Sequence, residues 1–222
     1  MEEASDAVFY PILLQMEHLR CIVIGGGRIA ERKIRGLLEA GAKVHVVSSD
    51  YSPQIDQWIA EGRITDRNRT YQPGDLKGAQ IVFAATDSEV VNERVSIDAH
   101  ALGILVNVAS SSRSSNFVNV STMRRGKLII SVSTSGASPE VAKRIVSEIE
   151  AQYGEAYEIY LDVLADLRHM IQRSIPDAGV RRQLMKQMLE MNWLEQIEQG
   201  VFPPADSGWM EKWIKEQIAV IE

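Results

Sequence analysis

A chain of 222 residues that is 45% hydrophobic and 24% charged has the composition of a folded globular protein, which excludes a disordered or fibrous polymer. Its formal net charge of -6 excludes a general nucleic-acid binder, which needs a basic footprint to displace counterions from phosphates. No apolar run approaches the roughly 20 residues that cross a bilayer, and Met1-Glu2-Glu3 is acidic where a secretion signal is basic, so a cytoplasmic protein without membrane partners is expected.

Between Leu19 and Val108, short apolar runs alternate with amphipathic stretches, the pattern of a parallel sheet whose crossovers are helices. Residues 21–24 read as the first strand and hold the only cysteine, Cys21, as a small buried hydrophobe; a single cysteine excludes a disulfide within the chain. Residues 29–40 read as the first helix, closed by Gly41 just beyond its last turn. The second strand falls at 44–47, a weaker third around 63–70, and two more at 81–85 and 104–108, with a helix over 89–102 between those two. The composition then turns polar in Ser110-Ser111-Ser112-Arg113-Ser114-Ser115-Asn116, a linker or a working loop.

Residues 128–132 alternate as a strand, and Ser138-Pro139-Glu140 starts a helix with a serine cap, a proline at the first helical position and an acid in the first turn. That helix is expected to be long. Val141, Ile145, Ile149 and Tyr153 share one face, and Tyr157, Leu161, Leu164, Leu167 and Ile171 continue it past Gly154. The rest stays helical, with Trp193, Trp209 and Trp213 as packing anchors. The expected class is α/β: a parallel-sheet domain over 1–112, a small α+β region over 113–150 and a helical C-terminal domain over 151–222.

Chemistry is first visible at Gly25-Gly26-Gly27-Arg28-Ile29-Ala30, a G-x-G-x-x-A match that follows a strand and opens a helix. Gly25 permits the tight turn, Gly27 lets the backbone approach a pyrophosphate, and Ala30 lets the helix pack close to the strand. Free N–H groups at the helix start then face the phosphate charge. This is the turn of a Rossmann-type dinucleotide site. The second strand ends in Ser48-Ser49-Asp50, where an acid accepts hydrogen bonds from the adenosine ribose. Tyr51 and Ser52 follow it instead of Lys or Arg, so a 2′-phosphate would meet negative charge, which favours NAD over NADP. A helix cap or solvated acid is the alternative for Asp50. Thr86-Asp87 and Asn107 close two further strands, where an open parallel sheet borders its ligand crevice; Asp87 has the alternative of capping the next helix.

Read together, Gly25 to Lys33, Gly41-Ala42-Lys43-Val44, Ala85-Thr86-Asp87 with Val91-Asn92, Val106-Asn107-Val108 and Ser133-Thr134-Ser135-Gly136-Ala137-Ser138-Pro139 resemble the precorrin-2 dehydrogenase family, which includes the N-terminal half of bacterial siroheme synthase. The resemblance is strong from about Tyr10 to Glu150 and weaker through the helical tail. It implies an enzyme that oxidises precorrin-2 to sirohydrochlorin with NAD on the route to siroheme, and a homodimer joined through the region after the Rossmann domain. Some members also insert iron. Carried over, Arg28, Ile29, Ser49 and Asp50 fall at dinucleotide contacts and Thr134 falls near the tetrapyrrole cleft.

Two positions depart from the family pattern. Many bifunctional members carry an aspartate two residues beyond the Asn-Val pair, with a role in proton removal and chelation, and here Ser110 stands there. A serine hydroxyl is a poor base unless another group activates it. The family's proline after the Phe117 region is Val120 here. Members that oxidise but do not chelate, from some Gram-positive bacteria, likewise carry Ala-Ser-Ser. The expectation is a dehydrogenase without efficient ferrochelatase, with metal insertion left to a separate chelatase.

Precorrin-2 bears many carboxylates, so an acidic enzyme needs a local cationic patch. Residues 113–150 hold Arg113, Arg124, Arg125, Lys127, Lys143 and Arg144 against Glu140, Glu148 and Glu150. Arg113, Arg124 and Arg125, with Ser133 and Ser138, are the candidate substrate contacts, since arginine suits bidentate carboxylate pairing. Asp87, Ser110 and Thr134 are the candidate catalytic groups. His18, His45, His100 and His169 lack metal-ligand spacing, so no fixed metal is expected. Two rival readings stay open: a bifunctional dehydrogenase and ferrochelatase, and a non-catalytic NAD-responsive binding protein.

Overall fold

The computed structural model describes residues 8–204 and 208–221. The chain divides into two compact units, Met1–Asn119 and Val120–Glu222. The first runs β1 (Arg20–Ile24), α1 (Arg28–Glu39), β2 (Lys43–Ser48), α2 (Pro53–Ala60), β3 (Thr65–Asn68), β4 (Ile81–Ala84), α3 (Glu89–Ala101) and β5 (Leu105–Val108), and its five strands form one sheet. Its order is β3-β2-β1-β4-β5 and every pairing is parallel, the Rossmann arrangement. Helices cover both faces, which is why the central strands are continuous apolar runs. Cys21, Val23, Val44 and Val46 pack on one side with Ile34 and Leu37 of α1 and with Ile55 and Trp58 of α2. Ile22, Ile24, Val82 and Val106 pack on the other with Val95 and Ala99 of α3. Cys21 is fully buried, and burial pushes its thiol up to about 11, the behaviour of an inert core residue. No helix among the described residues is long and apolar enough to cross a membrane.

The polar stretch after β5 has a structural task. Asn116 donates its backbone N–H to the Val106 carbonyl (3.0 Å) and its amide to the Ile104 carbonyl (3.1 Å), while its Oδ1 accepts from Val106 N–H (2.8 Å). Ser115 Oγ accepts from Val108 N–H (2.8 Å). These residues satisfy the free backbone groups of an edge strand and so keep residues 113–119 with the first unit. The division therefore falls after Asn119, seven residues beyond the boundary expected at 112.

The opposite edge is held by a buried charge. Asp75, in the 3-10 turn Pro73–Leu76, is 3% exposed and accepts from Arg67 (2.6 Å), from both Arg69 amino groups (2.6 and 2.8 Å) and from Gln72 N–H (2.8 Å). The cluster ties β3 to the loop that carries Thr70 and Tyr71.

In the second unit, β6 (Ser121–Arg125) and β7 (Leu128–Val132) form an antiparallel hairpin on which α4 (Pro139–Gln152) lies. α5 (Ala156–Ser174), α6 (Ala178–Gln187), α7 (Trp193–Glu198) and α8 (Trp209–Ile221) follow. Their core joins Leu167, Ile171 and Leu184 to Trp193 and Trp213, with Trp209 edge-on to Trp193 at 5.4 Å. The single long helix expected from Ser138 onward is instead two. Tyr153, at φ -110° and ψ 80°, leaves the helix, and Gly154 carries the entropic penalty that makes glycine a poor helix former. The buried face of α4 also differs: Ala142 and Val146 face inward and Val141 stays 38% exposed.

The Arg69 guanidinium, helped by Gln72 N–H and Arg67, holds the Asp75 carboxyl down to about 2 from 3.8. A depressed carboxyl stabilises the fold above its unfolded value, and this contribution is lost as pH falls from about 4 through about 2. Asp75→Asn is therefore expected to lose about 2 kcal/mol at neutral pH and to flatten the acid limb in that window. Urea melts of both proteins at pH 7 and pH 3 check it.

Candidate functional site

The carboxyl ends of β1, β2 and β4 border a cavity of about 540 Å³, at the point where the strand order reverses direction. The glycine turn forms its floor. Gly25 N–H donates to the Val47 carbonyl (2.9 Å), and the Gly26 carbonyl accepts from Ser52 N–H (2.8 Å). The three glycines have different reasons to be glycine. At Gly25, with φ 117°, a Cβ would come within 2.3 Å of the Ala85 carbonyl oxygen, and at Gly26 within 1.9 Å of the Asp50 carbonyl oxygen. At Gly27 a Cβ would meet nothing within 4 Å. The protein needs the first two. The third lines the cavity, and no neighbour in the fold requires it.

Helix ends reinforce this. Ser52 caps α2 by accepting from Ile55 N–H (3.4 Å), and Ser88 caps α3 by accepting from Val91 N–H (3.4 Å). α1 has no side-chain cap, so its first N–H groups have no side-chain acceptor. Among the described residues, Arg28, its first residue, is the only cation lining the cavity, and no described carboxylate pairs with it.

The sequence-derived cofactor residues largely converge here. Gly25, Gly26, Gly27, Arg28, Ser49, Asp50, Thr86 and Asp87 all line the cavity. Neither acid is a cap, because the neighbouring serines take that role. Asp50 is exposed and accepts from Ser49 Oγ (3.0 Å). Asp87 is exposed, with no described hydrogen-bond partner. Ile29 differs: its side chain is 46% exposed outside the lining, so only its backbone N–H can serve an anion. Asn107 differs as well. It stands opposite Phe83 on the α1 face, where Oδ1 accepts from Lys33 Nζ (3.1 Å) and Nδ2 donates to the Phe117 carbonyl (3.1 Å). Lys33 also donates to Asn119 Oδ1 (2.8 Å), and burial, with Arg32 nearby, lowers its ammonium to about 8.

Among the lining residues not foreseen as site residues are Tyr51, Thr70 and Tyr71. The last is anchored by its hydroxyl to Asp98 of α3 (2.9 Å), a pairing 27 residues apart that no local pattern announces. Asn92, visible beforehand only as part of a motif, is 1% exposed and grips Thr86. Its Oδ1 accepts from Thr86 N–H (3.1 Å) and Oγ1 (2.8 Å), and its Nδ2 donates to the Thr86 carbonyl (2.9 Å) and to Ser110 Oγ (3.4 Å). Ser110 thus lies one side chain behind the cavity wall.

Arg113 belongs to the first unit; Arg124, Arg125, Ser133, Thr134 and Ser138 belong to the second. The hydroxyls of the 133–138 loop largely hold the loop itself. Thr134 Oγ1 donates to the Ser138 carbonyl (3.0 Å) and accepts from Ser138 N–H (3.1 Å), Ser133 Oγ accepts from Ser135 N–H (3.1 Å), and Ser138 Oγ caps α4. The one hydroxyl hydrogen of Thr134 is thereby used within the loop. Of the six cations, Lys127 pairs with Asp162, Lys143 with Glu140 and Arg144 with Glu148. Arg113, Arg124 and Arg125 have no described carboxylate partner. No group of three potential metal ligands occurs among the described residues.

A family model described as "Putative NAD(P)-binding" matches residues 12–121. Siroheme synthases of Chromobacterium violaceum and Nitrosococcus oceani are each 33% identical over 82% and 86% of this chain, which spans 39% and 41% of their lengths. A solved precorrin-2 dehydrogenase, SirC, superposes with a TM-score of 0.72 at 29% identity, covering 87% of this chain and 98% of that one. The chain belongs to the precorrin-2 dehydrogenase family. Within that family, the first unit carries the NAD(P)-binding fold, and its glycine turn is the part that the geometry explains most fully.

Gly26→Ala is expected to lose about 1–3 kcal/mol through the clash with the Asp50 carbonyl. Gly27→Ala should melt like the parent and bind dinucleotide about tenfold more weakly, a difference of about 1.4 kcal/mol. Thermal melts alongside calorimetric titration separate the two effects.

Proposed function

We propose that this chain oxidises precorrin-2 to sirohydrochlorin with NAD and does not insert metal efficiently. The observation that carries this reading is the cavity at the β1–β4 switch point, with an uncapped α1 and open space at Gly27, in a chain that matches SirC over nearly that protein's whole length. The residues fit a dinucleotide. Gly27 and the first N–H groups of α1 would receive the pyrophosphate, with Arg28 adding a positive charge. The Asp50 carboxylate would accept from the adenosine ribose, and the absence of any cation at that end of the cavity supports NAD over NADP.

When bound, the nicotinamide accepts the hydride. Thr86 and Asp87, at the end of β4, would flank it, and Asp87 is the free carboxylate available to take a proton. Holding the two partners in line is the main task left to the protein, since the product gains conjugation. Arg113, Arg124 and Arg125 are the cations left over for the substrate's carboxylates, with Ser133 and Ser138 as hydroxyl donors. Ser110, in place of the aspartate of bifunctional members, supports oxidation without chelation, which leaves metal insertion to a separate chelatase. A homodimer joined through residues 113–150 completes the proposal, and sedimentation should give twice the mass of one chain.

Precorrin-2 and NAD incubated with the purified protein should yield NADH, whereas iron or cobalt insertion into sirohydrochlorin should not exceed the spontaneous rate. A folded, NAD-binding protein that yields no NADH would support the rival of a non-catalytic NAD-responsive protein. Accelerated insertion would support the bifunctional one. Asp50→Asn should weaken NAD roughly tenfold or more and narrow its advantage over NADP, measured by titration with each.

A further inference from the structure

We propose that Asn92 is a positioning residue that makes Ser110 a hydrogen-bond donor to the substrate. The inference rests on the oxidation proposed above and assigns Ser110 the opposite of a base's role.

The amide of Asn92 has two N–H groups and two lone pairs, and all four are used. Its orientation is dictated by Thr86, whose N–H can only donate and whose carbonyl can only accept. Reversing the amide would set two donors and two acceptors against each other. Nδ2 therefore points at both the Thr86 carbonyl and Ser110 Oγ. With its oxygen engaged as an acceptor, Ser110 turns its hydrogen elsewhere, and no described group takes it. The side chain is exposed just beyond β5, next to the strand whose end forms the cavity wall. Its chemistry suits a carboxylate oxygen of the bound tetrapyrrole. The same side chain of Asn92 fixes Thr86, so one buried amide sets the cofactor wall and the substrate-side hydroxyl together.

The tests are steady-state oxidation of precorrin-2 and direct NAD titration. Ser110→Ala should lower kcat/KM for precorrin-2 about tenfold through KM, with NAD affinity unchanged, and Ser110→Thr should recover most of the loss. Ser110→Asp should do no better than alanine, because an ionised carboxylate has no hydrogen to give; oxidation at or above the parent rate in this variant would overturn the donor role. Asn92→Asp keeps the acceptor for Thr86 but loses both donated bonds. It should weaken NAD about tenfold and, with NAD saturating, lower kcat/KM for precorrin-2, yet add nothing to the latter in the Ser110→Ala background. Additive losses there, or unchanged NAD affinity, would overturn the positioning role. Position 110 is exposed, so its variants read the proposal even where Asn92→Asp fails to fold. A parent protein that makes no NADH removes the proposed oxidation, and NAD titration of Asn92→Asp still decides whether Asn92 holds the cofactor wall.

Discussion

At the carboxyl edge of the sheet the backbone of Gly26 lies against the carbonyl of Asp50, close enough that a Cβ there would sit 1.9 Å from the oxygen. Two hydrogen bonds hold this approach in place, from Gly25 to Val47 and from Ser52 to Gly26. Because the turn is pinned to the loop after β2, the start of α1 and the Asp50 carboxylate border the same cavity. Ser52 adds a second tie by donating its hydroxyl to Glu31 of α1 (2.9 Å) while it caps α2. The cofactor cavity is thus a by-product of how β1, β2 and their loops must pack. Gly27, which packing does not require, is the residue left to the ligand.

Charge is divided in the same economical way. Among the described residues the one deeply buried carboxylate, Asp75, is fully matched by Arg67, Arg69 and a backbone N–H, and it serves the fold. The acids that border the cavity, Asp50 and Asp87, are exposed and relieved of capping by Ser52 and Ser88. In the second unit Lys127, Lys143 and Arg144 are matched by nearby acids, leaving Arg124 and Arg125 without described carboxylate partners. A net acidic chain can therefore still present cations where an anionic substrate would need them.

The parallel sheet was legible in the sequence because its strands are buried on both faces and read as unbroken apolar runs; even the weak third strand was marked. β6 was not, since of its five residues only Met123 is buried and the rest are polar. α2 gave only two inward residues, Ile55 and Trp58, behind a serine-proline start. At the site, residues tied to the glycine turn by backbone geometry were readable from spacing. Asn107 was not, because a strand-end position does not say which face the side chain takes, and the pairing with Phe83 turns it toward Lys33. Tyr71 and Asn92 depend on contacts with Asp98 and Thr86 that only the folded chain creates.

The central claim is that the uncapped start of α1 and the open side of Gly27 receive the pyrophosphate. Titrating NAD into uniformly ¹⁵N-labelled protein and following every backbone amide tests it most directly. The largest shifts should fall on Gly26, Gly27, Arg28 and Ile29, with a second group at Ser49 and Asp50. Saturable binding that left those amides unmoved and shifted others instead would contradict the account.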